Sequence, residues 1–298
     1  YIIWKKPPNR NRRKAGRISM NKILLLILAV LLMMSITLAG CNPVTTTVKP
    51  NALSASWAQK QAAALTALDE GDFPFSLTQG DSRKTGGELD VNKYFNVLTH
   101  LSMDDGYILD WVYYFNGSAG SPVLYTRPAD ADPFINYDEF SRAANKFTRP
   151  ENDLTMVWMV MGESNTVNGN RIKIDGTKEG YFEYTLLQLL GQQFYLFWHA
   201  AYNDTRIVCE TAALEGIIEE LKNTEFNPID NGFIKDARKI DLQPTVQISG
   251  DTVAVSLVTF SAWVGFSRVT FTMNKTYPHE VTGYEQETLV EYNCGIMF

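Results

Sequence analysis

Apolar positions recur at helical spacing in three stretches of the chain. The Ala-rich segment Ala52 to Leu68 places Trp57, Gln61, Ala64, Leu65 and Leu68 along one face and reads as helix. Asp90 is positioned to cap a second helix, "VNKYFNVLTHL", with Val91, Tyr94, Phe95, Leu98 and Leu101 on one side. "TAALEGIIEELK" is the third, with Leu214, Ile217, Ile218 and Leu221 inward and Thr211 as a candidate cap. A shorter helix is predicted around "YDEFSRAANKF", whereas "EGDFPFSLTQGDSRKTGGE", with its Gly residues and Pro, reads as loop.

The period then switches to two. "YILDWVYYF" and "PVLYTR" flank "NGSAGS" and predict a hairpin. "LTMVWMVM", "NRIKI", "YFEYTLLQLL" and "FYLFWHAAY" read as a meander jointed at Asn168-Gly169, Asp175-Gly176 and Gly191-Gln192. "FYLFW" is apolar on both alternating faces and is expected as a central strand covered on both sides. After a break at "NPIDNG", the strands "TVQIS", "TVAVSLVTF", "FSRVTFTM" and "ETLVEYNC" follow, joined by Gly250-Asp251, "SAWVG" and "NKTYPHEV". Sequential strands with short joints pair antiparallel. The expected class is α+β: antiparallel β meanders with about three to four helices packed against the sheet. One cooperative domain is expected over 57–298.

The start of the chain follows a different pattern. Met20-Asn21-Lys22 leads into the apolar run "ILLLILAVLLMMSIT" and then Leu38-Ala39-Gly40-Cys41. A basic start, a short apolar stretch and small residues before a cysteine resemble the signal peptide and lipobox of a bacterial lipoprotein. The resemblance implies cleavage before Cys41 and lipid on its sulfur, with 20–40 as the signal peptide and 41–56 as lipidated cysteine and stalk. "NPVTTTVKPNA" suits a hydrated, extended stalk. Residues 1–19 carry seven basic residues and no acid, and read as translated sequence upstream of a start at Met20. Two or three acyl chains, at about 0.8 kcal/mol per buried CH₂, anchor effectively permanently. The implied location is extracytoplasmic, lipid-anchored to the cell membrane. Asn42, rather than Asp, follows the cysteine, which leaves outer-membrane transport open if the organism has a second membrane.

Cleavage changes the electrostatics. The chain has 27 basic and 33 acidic residues; residues 1–40 hold eight basic residues and no acid, so 19 basic and 33 acidic remain, a net charge of −14. That balance argues against phosphate-backbone binding, which needs basic patches. The expected partners are the membrane, through the anchor, and an envelope protein, cell-wall component or small solute, with no nucleic acid.

Candidate chemistry is sparse. With Cys41 lipidated, Cys209 and Cys294 are left in an oxidising location, either bridged or as two buried free thiols. Three histidines, His100, His199 and His279, stand in unrelated contexts. His199, in "FWHAAYND" with Asp204 close behind, is the candidate acid–base or ligand residue, and the competing reading is a strand-end His bonded to backbone or to Asp204. "DADPFINYDE" has calcium-like acids at Asp130, Asp132, Asp138 and Glu139, but Phe134, Ile135 and Ser141 occupy positions where an EF-hand loop needs a ligand, glycine and glutamate, so turn and helix-start acids fit better. "GESN" lacks the second glycine of a nucleophile elbow, and no phosphate loop is present. No metal or cofactor is expected. Aromatics at period two are read as core rather than as a sugar-stacking platform.

The mature part is similar to predicted lipoproteins without an assigned activity, on "FYLFWHAAYNDTRIVC" and the ending "EYNCGIMF". Two functions are expected on this basis. The first is a binding or accessory domain at the envelope, not an enzyme; the alternative is a lipid-anchored hydrolase with its site near His199 and Asp204. A filled core with an exposed aromatic patch would favour binding, and a pocket collecting His199 with two acids would favour hydrolysis.

Overall fold

The first helix, α1 (Ala55–Thr66), starts where Ser54 accepts a bond from the Trp57 N–H and buries Ala58, Ala62 and Leu65. It packs on α3 (Lys178–Leu190), around which the main core is built. Thr177 caps α3 by accepting from the Gly180 N–H, and every residue from Gly180 to Leu190 is buried. In this computed structural model the described residues are 51–69, 71–80, 82–144, 171–198, 204–225 and 227–295. All of them fall within one compact unit, Lys49–Phe298.

The class is α+β, and the described strands form three antiparallel sheets. A short ribbon pairs β1 (Leu101–Met103) with β4 (Ile172–Ile174). A second sheet pairs β2 (Tyr107–Phe115) with β3 (Ala119–Pro128) over their full length, and adds β5 (Phe197–Trp198) beside Ala119 and Gly120. The largest has the order β10 (Val281–Glu291), β9 (Gly265–Asn274), β8 (Thr252–Ser261), β6 (Arg206–Ile207), with β7 (Thr245–Ser249) also on β8. Alternation along β8 fixes its two faces. Val253, Val255 and Leu257 join the core of α1 and α3, while Val258 and Phe260 join a second core with α4 (Thr211–Lys222) and α5 (Asn231–Ala237). A small third cluster sets α2 (Tyr137–Ala144) on β2 and β3 through Phe140, Val112 and Tyr125.

Several elements differ from the sequence expectation. "YFEYTLLQLL" is the body of α3, not a strand: a helix buried on all sides has no polar stripe, so its period is hidden. Of "FYLFWHAAY", the described residues 194–198 give two strand residues, Phe197 and Trp198, with positive φ at Tyr195 before them and at Trp198. The segment behind Asp90 forms a 3-10 helix at Val91–Asn96, and Leu101 already belongs to β1. Thr211 is not a cap, since Glu210 precedes the helix without a side-chain bond. The break at "NPIDNG" opens α5, where Asp230 accepts from the Phe233 N–H. β10 begins at Val281, earlier than "ETLVEYNC". The predicted strand "LTMVWMVM" and the joint Asn168-Gly169 lie outside the described residues. Among the described residues no helix is long and apolar enough to cross a membrane.

Candidate functional site

The β2–β3 hairpin turns where Asn116 Oδ1 accepts from the N–H groups of Ser118 and Ala119. Phe115 stands at this end of the sheet, and β5 brings Phe197 and Trp198 beside it. The loop read from "DFPF" supplies Phe73 and Phe75. Ring centroids of Phe73 lie 5.5 Å from Phe197 and 5.9 Å from Phe75, and Phe115 lies 5.6 Å from Phe197. Phe75 is 71% exposed and Trp198 56%. Phe75 is thus an outward ring continuous, through Phe73, with the buried ring of Tyr113.

The scaffold beneath it is tied by polar contacts. Tyr113 Oη donates to the Tyr195 carbonyl at 2.8 Å, the Leu89 N–H donates to Tyr195 Oη at 3.1 Å, and Trp111 Nε1 donates to the Leu89 carbonyl at 3.0 Å. Tyr195 and Trp198 hold φ of 49° and 44°, a left-handed conformation that bulky side chains rarely adopt and that surrounding structure must enforce. Gly120 is needed here: a Cβ would come within 2.8 Å of Tyr113 Cε1. Gly120→Ala is expected to cost about 1–3 kcal/mol through overpacking, read as a lower urea midpoint at unchanged slope.

A second group lies at the β1–β4 ribbon. At one end, His100 Nδ1 is 2.7 Å from Asp175 Oδ2, and Thr177 donates its N–H and hydroxyl to Asp175 Oδ1 at 2.9 and 2.6 Å. The bond to Asp175 raises the His100 pKa above its ordinary value. Burial works against ionisation of Asp175, but its bonds to Thr177 and His100 hold its pKa below normal. Beneath them Glu183 is fully buried, and accepts the His100 N–H with Oε2 at 2.8 Å while Oε1 has no partner. Burial pushes its pKa up to about 7. At the other end Asp104 accepts from Tyr277 Oη and pairs with Lys173 at 2.9 Å and Arg171 at 3.5 Å.

A His–carboxylate pair at a surface can move a proton. The Thr177 hydroxyl lies 3.3 Å from His100 Nδ1, and among the described residues no group of three or more His, Cys, Asp or Glu can hold a metal ion.

Those residues singled out from the sequence that the structure describes are dispersed. Cys41 and His199 lie outside the described residues. Asp204 is half-buried, and burial raises its pKa, opposed by Arg206. Arg206 itself pairs with Glu220 at 2.6 Å and stacks 4.9 Å over Phe260. Cys209 and Cys294 are both free in this structure; Cys209 packs in the core of α1 and α3 and Cys294 against that of α4 and α5. Burial pushes the Cys209 thiol up to about 12, which makes it a poor nucleophile. His279 is buried, receiving the Ile174 N–H on Nε2. Asp138 and Glu139 stand in the first turn of α2, as helix-start acids, and Glu139 accepts the Ile135 N–H. Phe73, Phe75 and the His100–Asp175 pair were not foreseen. The only advance signal was two phenylalanines in a loop otherwise built of polar and turn residues.

No protein-family model, curated protein or solved structure matches the chain.

Proposed function

We propose that this protein is a membrane-anchored extracytoplasmic lipoprotein whose α+β domain is a binding or accessory module at the cell envelope. The observation that carries the reading is exposed aromatic surface: Phe75 is 71% exposed at the rim of a ring cluster with Phe73, Phe197 and Phe115, and Trp198, next to Phe197 in β5, is 56% exposed. Large exposed aromatics at a rigid site supply contact area at small entropic cost. The lipid on Cys41 and the stalk through Ala52 would tether the domain to the membrane, and an envelope protein, cell-wall component or small solute would be its partner.

The test places a photo-crosslinking residue at Phe75, or at Ser249 on the exposed β7–β8 turn, in the full-length chain on intact cells. The position-75 protein should yield a discrete adduct that pellets with membranes, and the position-249 protein should not. Cys41→Ser should release the protein from the pellet without changing its circular dichroism. Absence of an adduct from position 75, or equal adducts from both positions, refutes the binding face; membrane retention of Cys41→Ser refutes the lipid anchor.

A further inference from the structure

The last strand, β10, pairs with β9 on one side, and among the described residues no strand pairs with the other. Its register is regular from Gly283 opposite Thr272 to Thr288 opposite Ser267, bounded by irregularities at Val281/Gly283 and Thr288/Val290. Within that stretch Glu285, Gln286, Glu287 and Thr288 are exposed in succession, so no layer covers either face there. Alternate peptide groups of an edge strand point outward unpaired and can template a further strand.

The side chains divide by face. Tyr284 and Gln286 are held: the Tyr284 ring lies 5.0 Å from Phe271, its hydroxyl donates to Gln286 Oε1, and Gln286 Nε2 donates to Ser267 Oγ. Glu285 and Glu287 occupy the opposite face, and among the described residues no cation pairs with either. The nearest cross-strand cation, Arg268 opposite Glu287, donates instead to the Asp241 carbonyl at 2.6 Å. A second copy pairing edge to edge would oppose these carboxylates to their own kind, which disfavours self-association. An extended segment carrying Lys or Arg at alternate positions would match them, and the acidic domain would steer such a segment in.

We propose that the outer edge of β10, over Gly283–Thr288, accepts an extended cationic peptide segment as a sixth strand. Backbone bonds would supply affinity, and Glu285 and Glu287 would select for basic residues. This surface is independent of the exposed aromatics.

The probe is a labelled peptide of roughly eight residues alternating Lys with Thr, added to the full-length chain in non-ionic detergent. Two controls accompany it: the same peptide with Glu for Lys, and the Lys peptide with central prolines that cannot pair. Expected results are salt-sensitive binding of the Lys peptide alone, and slowed amide exchange confined to Gly283–Thr288. The double variant Glu285→Lys with Glu287→Lys should lose about tenfold or more in affinity for the Lys peptide and gain affinity for the Glu peptide. Equal binding of the proline peptide would reduce the effect to diffuse charge attraction and overturn the proposal. Unchanged exchange at Gly283–Thr288 would overturn it too, as would protection that grows with protein concentration without peptide, which would assign the edge to a second copy.

Discussion

Asp110→Ala is expected to lower the unfolding free energy by about 3–5 kcal/mol. Asp110 sits on β2 at 8% exposure. Its carboxylate takes Lys84 Nζ and the Trp111 N–H on Oδ1, and Arg127 Nε at 2.7 Å and Tyr125 Oη at 3.2 Å on Oδ2. Lys84 also lies 4.9 Å over the Trp111 ring. Burial alone would raise the Asp110 pKa, but Lys84 and Arg127 outweigh it and hold the carboxyl below its ordinary value. Removing it leaves two cations partly buried, at 22% and 15% side-chain exposure, with no countercharge. That residual water access places the loss toward the lower end of the range. Urea unfolding followed by tryptophan fluorescence reads the change, since Trp111 is adjacent. Lys84→Met in the Asp110→Ala background should recover part of the loss, because one of the stranded charges is gone. A loss under about 1 kcal/mol for Asp110→Ala would mean that the cluster is solvated and structurally idle. The linkage has a definite sign: the ionised cluster stabilises the protein above the ordinary Asp pKa, and this is lost as pH falls through the lowered folded value.

What the sequence disclosed and what it withheld follow from the same physics. The periodicity of α4 is visible in the residues, and Leu214, Ile217, Ile218 and Leu221 are all inward as the spacing implies; α1 is legible as a helix but not in its face, since it buries Ala58, Ala62 and Leu65 and leaves Ala64 exposed. The β2–β3 hairpin announces itself by its β-branched and aromatic residues and by Asn116-Gly117 at the turn, and β8 and β9 by alternation, with Gly250 at the turn before β8. α3 does not, because a helix enclosed by α1, the ribbon and the large sheet is buried all round, with Glu183, Thr185 and Gln188 inside as well, so no exposed polar stripe marks its period. The candidate surfaces were hidden for a different reason. Phe73 meets Phe197, and His100 meets Asp175, only after chain segments far apart in sequence close on one another. No local pattern records such a meeting. The aromatics of β2 and β3 are mainly core, as their period-two spacing implies, and the outward rings come from a loop and from a strand of two residues.

The buried glutamate of α3 gives the second large effect. Glu183→Gln should leave stability nearly unchanged near pH 4.5 and raise it by about 2–3 kcal/mol at pH 8. In the folded protein Glu183 is fully buried and has one partner, the His100 N–H, for two oxygens. Burial is the main cause lifting its pKa from 4.5 to about 7; the His100 N–H and the His100 charge oppose the rise, and Asp175 and Glu179 add to it. Below pH 4.5 both folded and unfolded chains carry the proton, so the group costs nothing. Between 4.5 and 7 the unfolded chain releases it while the folded chain keeps it, and stability falls as pH rises; above 7 the full penalty persists. Glutamine keeps an acceptor for His100 and carries no charge, so this slope should disappear. A smaller slope in the same direction should remain, since the His100–Asp175 pair is complete below the ordinary His pKa and is lost as pH rises through the raised folded value. His100→Asn in the Glu183→Gln background should remove that remainder. Urea midpoints from pH 4.5 to 8.5 measure both effects. A Glu183→Gln protein that is less stable than the parent at pH 8 would show instead that the ionised carboxylate is satisfied in solution, with a partner for Oε1 such as bound water.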